Sequence, residues 1–254
     1  MNDLRRIEEV SLDAWPALHT FAYDGWLLRF ANGYTKRANS VTPLYAGELP
    51  AAEKIRYCEE QYWRRALRPI FRLALIHPEA DLDRLLADAA YQRVDVTSVQ
   101  GLEIGRGFRA STRTVVAPLN TWLRAFHLLN PARRDERAHE AILQQIAGPI
   151  CPLILMNGTQ PLACGLAVVQ QPYVGLFDIV TEKDQRRKGY GRELTESLIA
   201  WGREHGASYA YLQVMRDNSP ALALYEQLGF SELYRYWYRL APNSGKTTAK
   251  ENTA

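Results

Sequence analysis

Residues Arg186-Arg187-Lys188-Gly189-Tyr190-Gly191 constrain this chain more than any other stretch. They stand between an apolar segment, 176–180, and an amphipathic one that begins near Arg192. Glycines one residue apart let a backbone turn tightly and come close to a ligand. Three cations ahead of and beside them suit an anion. A helix opening directly afterwards turns its free N–H groups and the positive end of its dipole to the same place. Strand, basic glycine turn, helix: that order makes a diphosphate cradle, and an α/β fold is what supplies it.

Periodicity places the remaining elements around this turn. Strands are expected at 25–29 and 40–45, joined by a turn at Asn32-Gly33. A helix follows at 52–67, a strand at 70–76, a helix opened by Pro78 and a strand at 94–99. The second half reads as helices at 120–129 and 134–146, stopped by Gly148-Pro149, then strands at 153–156, 163–170 and 173–180. A helix at 191–205, a strand at 209–215, a helix capped by Ser219 with Gly229 as its stop, and a strand at 233–240 complete the chain.

The two halves share this pattern. An offset of 139 residues carries Val41-Thr42 onto Val180-Thr181 and the first-half helix onto 191–206. It also carries Leu85-Leu86 onto Leu224-Tyr225. Identities are few, so the match is one of pattern. The cradle is not repeated: Gly47, Pro50 and Ala52 stand where Arg186, Gly189 and Gly191 stand later. Pro50 lacks a backbone donor. The expected layout is a first unit at 1–115 without a cradle, a second at 116–242 and a disordered polar tail at 243–254.

Composition adds boundaries. Of 254 residues 47% are hydrophobic and 23% charged, an ordinary globular balance. A net charge of +3 is too small to argue for nucleic acid. Cys58, Cys151 and Cys164 form no Cys-x-x-Cys pair and no metal spacing with the histidines, so no metal site and a reducing, cytoplasmic setting are expected. The amino terminus has no apolar core of a secretory signal, and no apolar run reaches membrane length. Gly105 to Ala110 fits a dinucleotide fingerprint, but the residues after it are β-like rather than helical. Trp26, Arg29, Tyr34, Lys36, Arg37 and Asn39 crowd one region. They admit three readings: a packed hairpin, the lining of an acceptor pocket between the halves, or a nucleic-acid surface.

Asp217-Asn218-Ser219-Pro220 follows a strand and opens the helix that carries Ala221, Leu224, Tyr225, Gly229 and Phe230. With Val180-Thr181, Arg186, Gly189 and Gly191, these residues resemble the GNAT superfamily of N-acetyltransferases. The resemblance covers roughly residues 120–240; the first half resembles a degenerate copy. It implies the acyl-CoA N-acyltransferase fold, a mixed α/β sheet present as two GNAT-like domains in tandem, with acetyl-CoA or another acyl-CoA as co-substrate. It implies that backbone amides of Arg187, Lys188, Gly189, Tyr190, Gly191 and Arg192, with Arg186, hold the diphosphate. Main-chain groups of Ile179, Val180 and Thr181 would lie along the pantetheine, as would Asn218, which reads equally well as a helix cap.

By the same resemblance Tyr225 is the general acid that protonates the departing thiolate. An amine must be neutral to attack. At pH 7 a lysine-type amine near pKa ~10.4 is neutral about once in a few thousand, and an α-amine near ~7.8 roughly one time in seven. A base is therefore wanted. Asp178 interrupts an otherwise apolar strand and is a candidate; it reads equally as the partner of a nearby Arg. The expected acceptor is a small-molecule or peptide amine, with a homodimer left open. The competing reading is a non-catalytic CoA-binding scaffold whose first half binds a partner.

Overall fold

Helix α1 (Leu4–Asp13) opens the chain and buries Ile7, Val10 and Ser11, at the i, i+3, i+4 spacing of one face. In the computed structural model, which describes residues 4–79, 81–132 and 135–243, a hairpin follows. Its strands are β1 (His19–Tyr23) and β2 (Trp26–Phe30). Asp24 and Gly25 take φ of 44° and 82°, the left-handed pair a tight hairpin turn requires. A Cβ on Gly25 would stand 2.4 Å from the Tyr45 carbonyl oxygen. Gly25 therefore belongs to the turn and not to the strand expected at 25–29. β1, α1 and a short strand at Thr114–Val116 are not among the elements expected from periodicity.

The strand expected at 40–45 shrinks to β3 (Val41–Thr42). Residues 31–40 form a loop around Asn39, whose amide accepts from the backbone N–H of Ala31 (2.7 Å) and Gly33 (2.9 Å) and donates to the Tyr34 carbonyl (2.7 Å). Then come α2 (Ala51–Trp63), β4 (Ile70–Ala74), α3 (Leu82–Asp88) and the long β5 (Gln92–Glu103).

The second half runs β6 (Thr114–Val116), α4 (Leu119–Leu129), α5 (Glu136–Leu143), β7 (Ile150–Asn157), β8 (Gln160–Gln170) and β9 (Tyr173–Thr181). It closes with α6 (Tyr190–Glu204), β10 (Tyr209–Met215), α7 (Ser219–Gln227) and β11 (Ser231–Leu240). Asn218, not Ser219, caps α7: its side-chain oxygen accepts from the Ala221 N–H at 3.3 Å. The tail from 244 onward and the expected helix start at Arg134 lie outside the described residues. No helix among those described is long and apolar enough to cross a membrane.

All eleven strands among the described residues join one mixed sheet, ordered β1-β2-β3-β4-β11-β5-β10-β9-β8-β7-β6. The order is symmetric about the β11–β5 pair at the 139-residue offset: β5 answers β11, β4 answers β10, β3 answers β9 and β2 answers β8. The halves therefore exchange their last strands. β11 lies antiparallel between β4 and β5, and β5 lies antiparallel between β11 and β10. One sheet face packs against α1, α4 and α5. The other packs against α6 and α7 in the second half and α2 and α3 in the first.

Candidate functional site

β9 and β10 begin as parallel neighbours and then part. Their pairing runs from Tyr173–Tyr209 to Leu176–Leu212 and ends there. Beyond it β9 stays with β8, where Ala163 meets Thr181, and β10 stays with β5, where Met215 meets Thr97. Each strand is held on its outer side, so a gap opens between them.

A β-bulge marks the point of divergence. Phe177 faces Leu166 and Val180 faces Cys164, so Asp178 and Ile179 together oppose Gly165 alone. Asp178 takes φ of 48°, a left-handed conformation that costs a non-glycine residue on the order of 1–3 kcal/mol. Trp122 fastens the partner strand by donating its indole N–H to the Gly165 carbonyl at 3.0 Å. The bulge lets Asp178 follow Phe177 onto the α4–α5 face. There His139 Nε2 lies 2.9 Å from Asp178 Oδ2. A carboxylate needs a donor, which assigns the imidazole proton to Nε2. His139 is fully buried, ringed by Trp15, Tyr34, Trp122 and Phe126, with centroids 4.9–5.9 Å away. The partner of Asp178 is thus a histidine and not the arginine considered from the sequence. The apolar spacing of His139, Ile142 and Leu143 on α5 was the available signal.

The basic turn follows the end of β9. Arg187 and Gly189 take φ of 62° and 86°. Gly189 is the N-cap of α6, and no side chain caps that helix. Its first N–H groups and its dipole therefore face outward from a 15-residue helix. A Cβ on Gly189 would meet nothing within 4 Å, whereas one on Gly191 would stand 3.4 Å from Thr181 Oγ1 and 3.3 Å from Leu224 Cδ2. Open space in front of uncapped donors is what a diphosphate needs. Arg186, Arg187 and Lys188 are exposed, Tyr190 lies under the Arg113 guanidinium, and Arg192 is engaged by Glu196 and by the Gln227 carbonyl.

The first half has filled the corresponding place with its own carboxylate. Asp24 accepts from the backbone N–H of Glu48 (3.0 Å) and Leu49 (2.9 Å), the counterparts of Arg187 and Lys188. These bonds hold its carboxyl below the usual range, helped by Lys54.

A cavity of about 870 Å³ occupies the gap. It brings together Asp178, Ile179, Val180, Arg186, Asn218 and Tyr225. Thr181 and residues 187–192 are outside its lining and continue the same backbone into α6. Burial pushes the Tyr225 phenol up to about 12. Trp15, Arg37, Asp95 and Tyr236 line the cavity from the first half and from β11. Burial opposes a charged Tyr236, but the Arg37 and Arg72 guanidiniums prevail and hold its phenol below the ordinary value. Of the six residues crowded in the sequence, Trp26, Arg29, Tyr34 and Asn39 are buried, which removes a nucleic-acid surface built on them. Lys36 and Arg37 reach the cavity.

Comparison with known proteins bears on this geometry. The family model described as "Probable histone acetyltransferase Rv0428c C-terminal" matches residues 1–239. The chain is 31% identical over 251 residues to the uncharacterized N-acetyltransferase YobR of Bacillus subtilis, covering 94% of this chain and 99% of that protein. A GCN5-related N-acetyltransferase from Kribbella flavida has the same fold, with a TM-score of 0.72 at 15% identity over 95% of this chain and 96% of that one. A tandem GNAT protein from the clavulanic acid biosynthesis pathway superimposes with a TM-score of 0.55 at 14% identity, over 76% of this chain and 70% of its own.

Proposed function

The chain belongs to the Rv0428c C-terminal acetyltransferase family, an acyl-CoA-dependent acetyltransferase on the GNAT fold, and on that premise we propose that it moves an acetyl group from acetyl-CoA to a primary amine by direct attack on the thioester. The observation that carries this reading is the β9–β10 gap, which leads from the uncapped start of α6 to Asp178 and Tyr225 in one cavity. We place the boundary between the halves near residue 115 and assign the cofactor to the second, because Asp24 occupies the anion position of the first.

Acyl-CoA in this gap supplies an activated carbonyl; every other demand falls on the chain. Backbone N–H groups of Arg187 to Arg192, with the Arg186 side chain, hold the diphosphate. The main chain of Ile179, Val180 and Thr181 borders the pantetheine arm, with Asn218 across from it. A strand N–H beyond the bulge polarises the carbonyl as an oxyanion donor. Asp178, oriented by His139, takes the proton of the incoming ammonium. Tyr225 gives a proton to the sulfur as the C–S bond breaks, and the second proton lost by the acylated nitrogen restores the phenol. Its phenol at about 12 stays protonated, yet donation to a thiolate near ~8.5 would run uphill by about 3.5 units, or ~5 kcal/mol. The same burial raises the proton affinity of the sulfur and narrows that gap.

The test is thermal stabilisation by acetyl-CoA followed by CoA release across a panel of amines. Absence of both stabilisation and release would remove this reading.

A further inference from the structure

The cavity continues past the gap onto the first half, where two neighbouring cations stand in different states. Lys36 is neutralised by Asp95 at 2.6 Å. Arg37 has no carboxylate within ion-pair distance among the described residues. Its Nε is buried and has no hydrogen-bond partner among them. Its guanidinium carbon lies 5.7 Å from the Trp15 ring and 5.7 Å from the Phe177 ring. Both rings lie within cation–π reach of the guanidinium, whose planar fork is suited to a carboxylate.

A cation withdrawn from water without a counter-ion is costly. Tyr236, Tyr238 and Asp178 favour the charged form of Arg37, Tyr236 also by a side-chain hydrogen bond, yet none of them forms an ion pair with it. Asp178 is bonded to His139. The Tyr236 hydroxyl, beside Arg37, donates to Gln213 Oε1 at 3.0 Å. The Tyr238 phenol is pushed up by burial and by Tyr236, which keeps it neutral. The arginine therefore lines, as a charged group without an ion-paired carboxylate, a cavity in which the carboxylate proposed as base is only one residue from Phe177.

We propose that Arg37 binds a carboxylate of the acceptor, which makes the acceptor a small molecule bearing both a primary amine and a carboxylate. This rests on the acetyltransferase reading above. Asp178 receives the amine end and Arg37 the acid end, on either side of Phe177. The diphosphate is not the anion in question. The cradle begins beyond Thr181, four strand residues or roughly 13 Å from Phe177, and carries its own donors. The first half, with its anion position closed by Asp24, thereby gains a role: it reads the acceptor while the second half holds the donor.

The experiment compares CoA release with glycine, β-alanine, 4-aminobutyrate and 6-aminohexanoate against the n-alkylamines of matching length, in the full chain and in Arg37→Gln. The expected result is preference for one or more amino acids in the wild type. In Arg37→Gln that preference collapses through a KM rise of about 10- to 100-fold, the span expected for a lost charge-assisted hydrogen bond. Thermal stabilisation by acetyl-CoA stays unchanged in the variant. Equal use of alkylamines and amino acids, rejection of every amino acid, or a preference that survives Arg37→Gln overturns the proposal. Those results leave the acetyltransferase reading standing as long as acetyl-CoA still stabilises the protein; loss of that stabilisation in the wild type instead sinks the underlying reading.

Discussion

His139 Nε2 stands 2.9 Å from Asp178 Oδ2 and ties helix α5 to the bulge of β9. The pairing inverts a common order. The imidazole is the buried member and the carboxylate faces the cavity, which suits His139 to the orienting role and Asp178 to the role of base proposed above. Asp178→Asn keeps an oxygen for the His139 N–H and removes the base, and kcat should fall by about 10²–10⁴. Acetyl-CoA affinity should be unaffected. His139→Gln restores a donor with less constraint and should lower kcat less, without raising the KM for acetyl-CoA. Steady-state kinetics decides this, and wild-type turnover in Asp178→Asn would end the assignment.

Tyr225 offers a test by pH. A general acid must be protonated, so turnover that depends on it persists below its pKa and is lost above. With the phenol at about 12, the rate should show no decline from this group through pH ~10, where an ordinary tyrosine would begin to ionise. Tyr225→Phe should keep acetyl-CoA affinity and lose roughly 10²-fold or more in kcat. An alkaline break near 10 that vanishes in Tyr225→Phe would contradict the buried environment.

Gly189 holds its turn at φ of 86°, which proline, locked near −65°, cannot adopt. Gly189→Pro should abolish thermal stabilisation by acetyl-CoA while circular dichroism shows the fold retained. Pro50 of the first half occupies the matching position at φ of −58°, so the substitution copies into the second half what the first already has. Undiminished stabilisation of the variant would argue against a diphosphate at this turn.

His77 makes acid sensitivity measurable. Its Nδ1 accepts from the Ala74 N–H at 3.2 Å and its Nε2 meets Glu8 Oε1 at 3.3 Å, an arrangement satisfied by the neutral ring. Burial, with Arg72 and Arg5 nearby, lowers its pKa from 6.5 to about 3. The unfolded chain takes up this proton first, so the contribution of His77 to stability is complete above 6.5 and is lost as pH falls toward 3. Between pH 6.5 and 5 the loss should be roughly 2 kcal/mol. Urea unfolding of wild type against His77→Gln isolates it: the variant should show a shallower acid dependence, and an identical slope would refute the assignment.

Much of this was legible in the chain. The cradle, the helix after it and the Asn218–Phe230 segment are contiguous, and local spacing encodes them. The 139-residue offset marked where helices and strands recur, because hydrophobic period survives when identity is lost. The Asp24-Gly25 turn was misplaced because leucine and tryptophan beside Gly25 continue the strand pattern, while the positive φ that excludes it is a property of the folded loop.

Sequence alone indicated most of the elements, the half of the chain that carries the basic glycine turn, and the family to which both point. Tertiary structure decided what meets at the site. His139 reaches Asp178 from 39 residues away through a one-residue bulge. Asp24 closes the first half's own anion position through a hairpin turn. Arg37 and Tyr236, nearly two hundred residues apart, share one cavity because the halves exchange their last strands. Period and propensity act over a few residues, whereas strand order and register are settled by how the two halves of one sheet bury their faces together, and that is where this site was assembled.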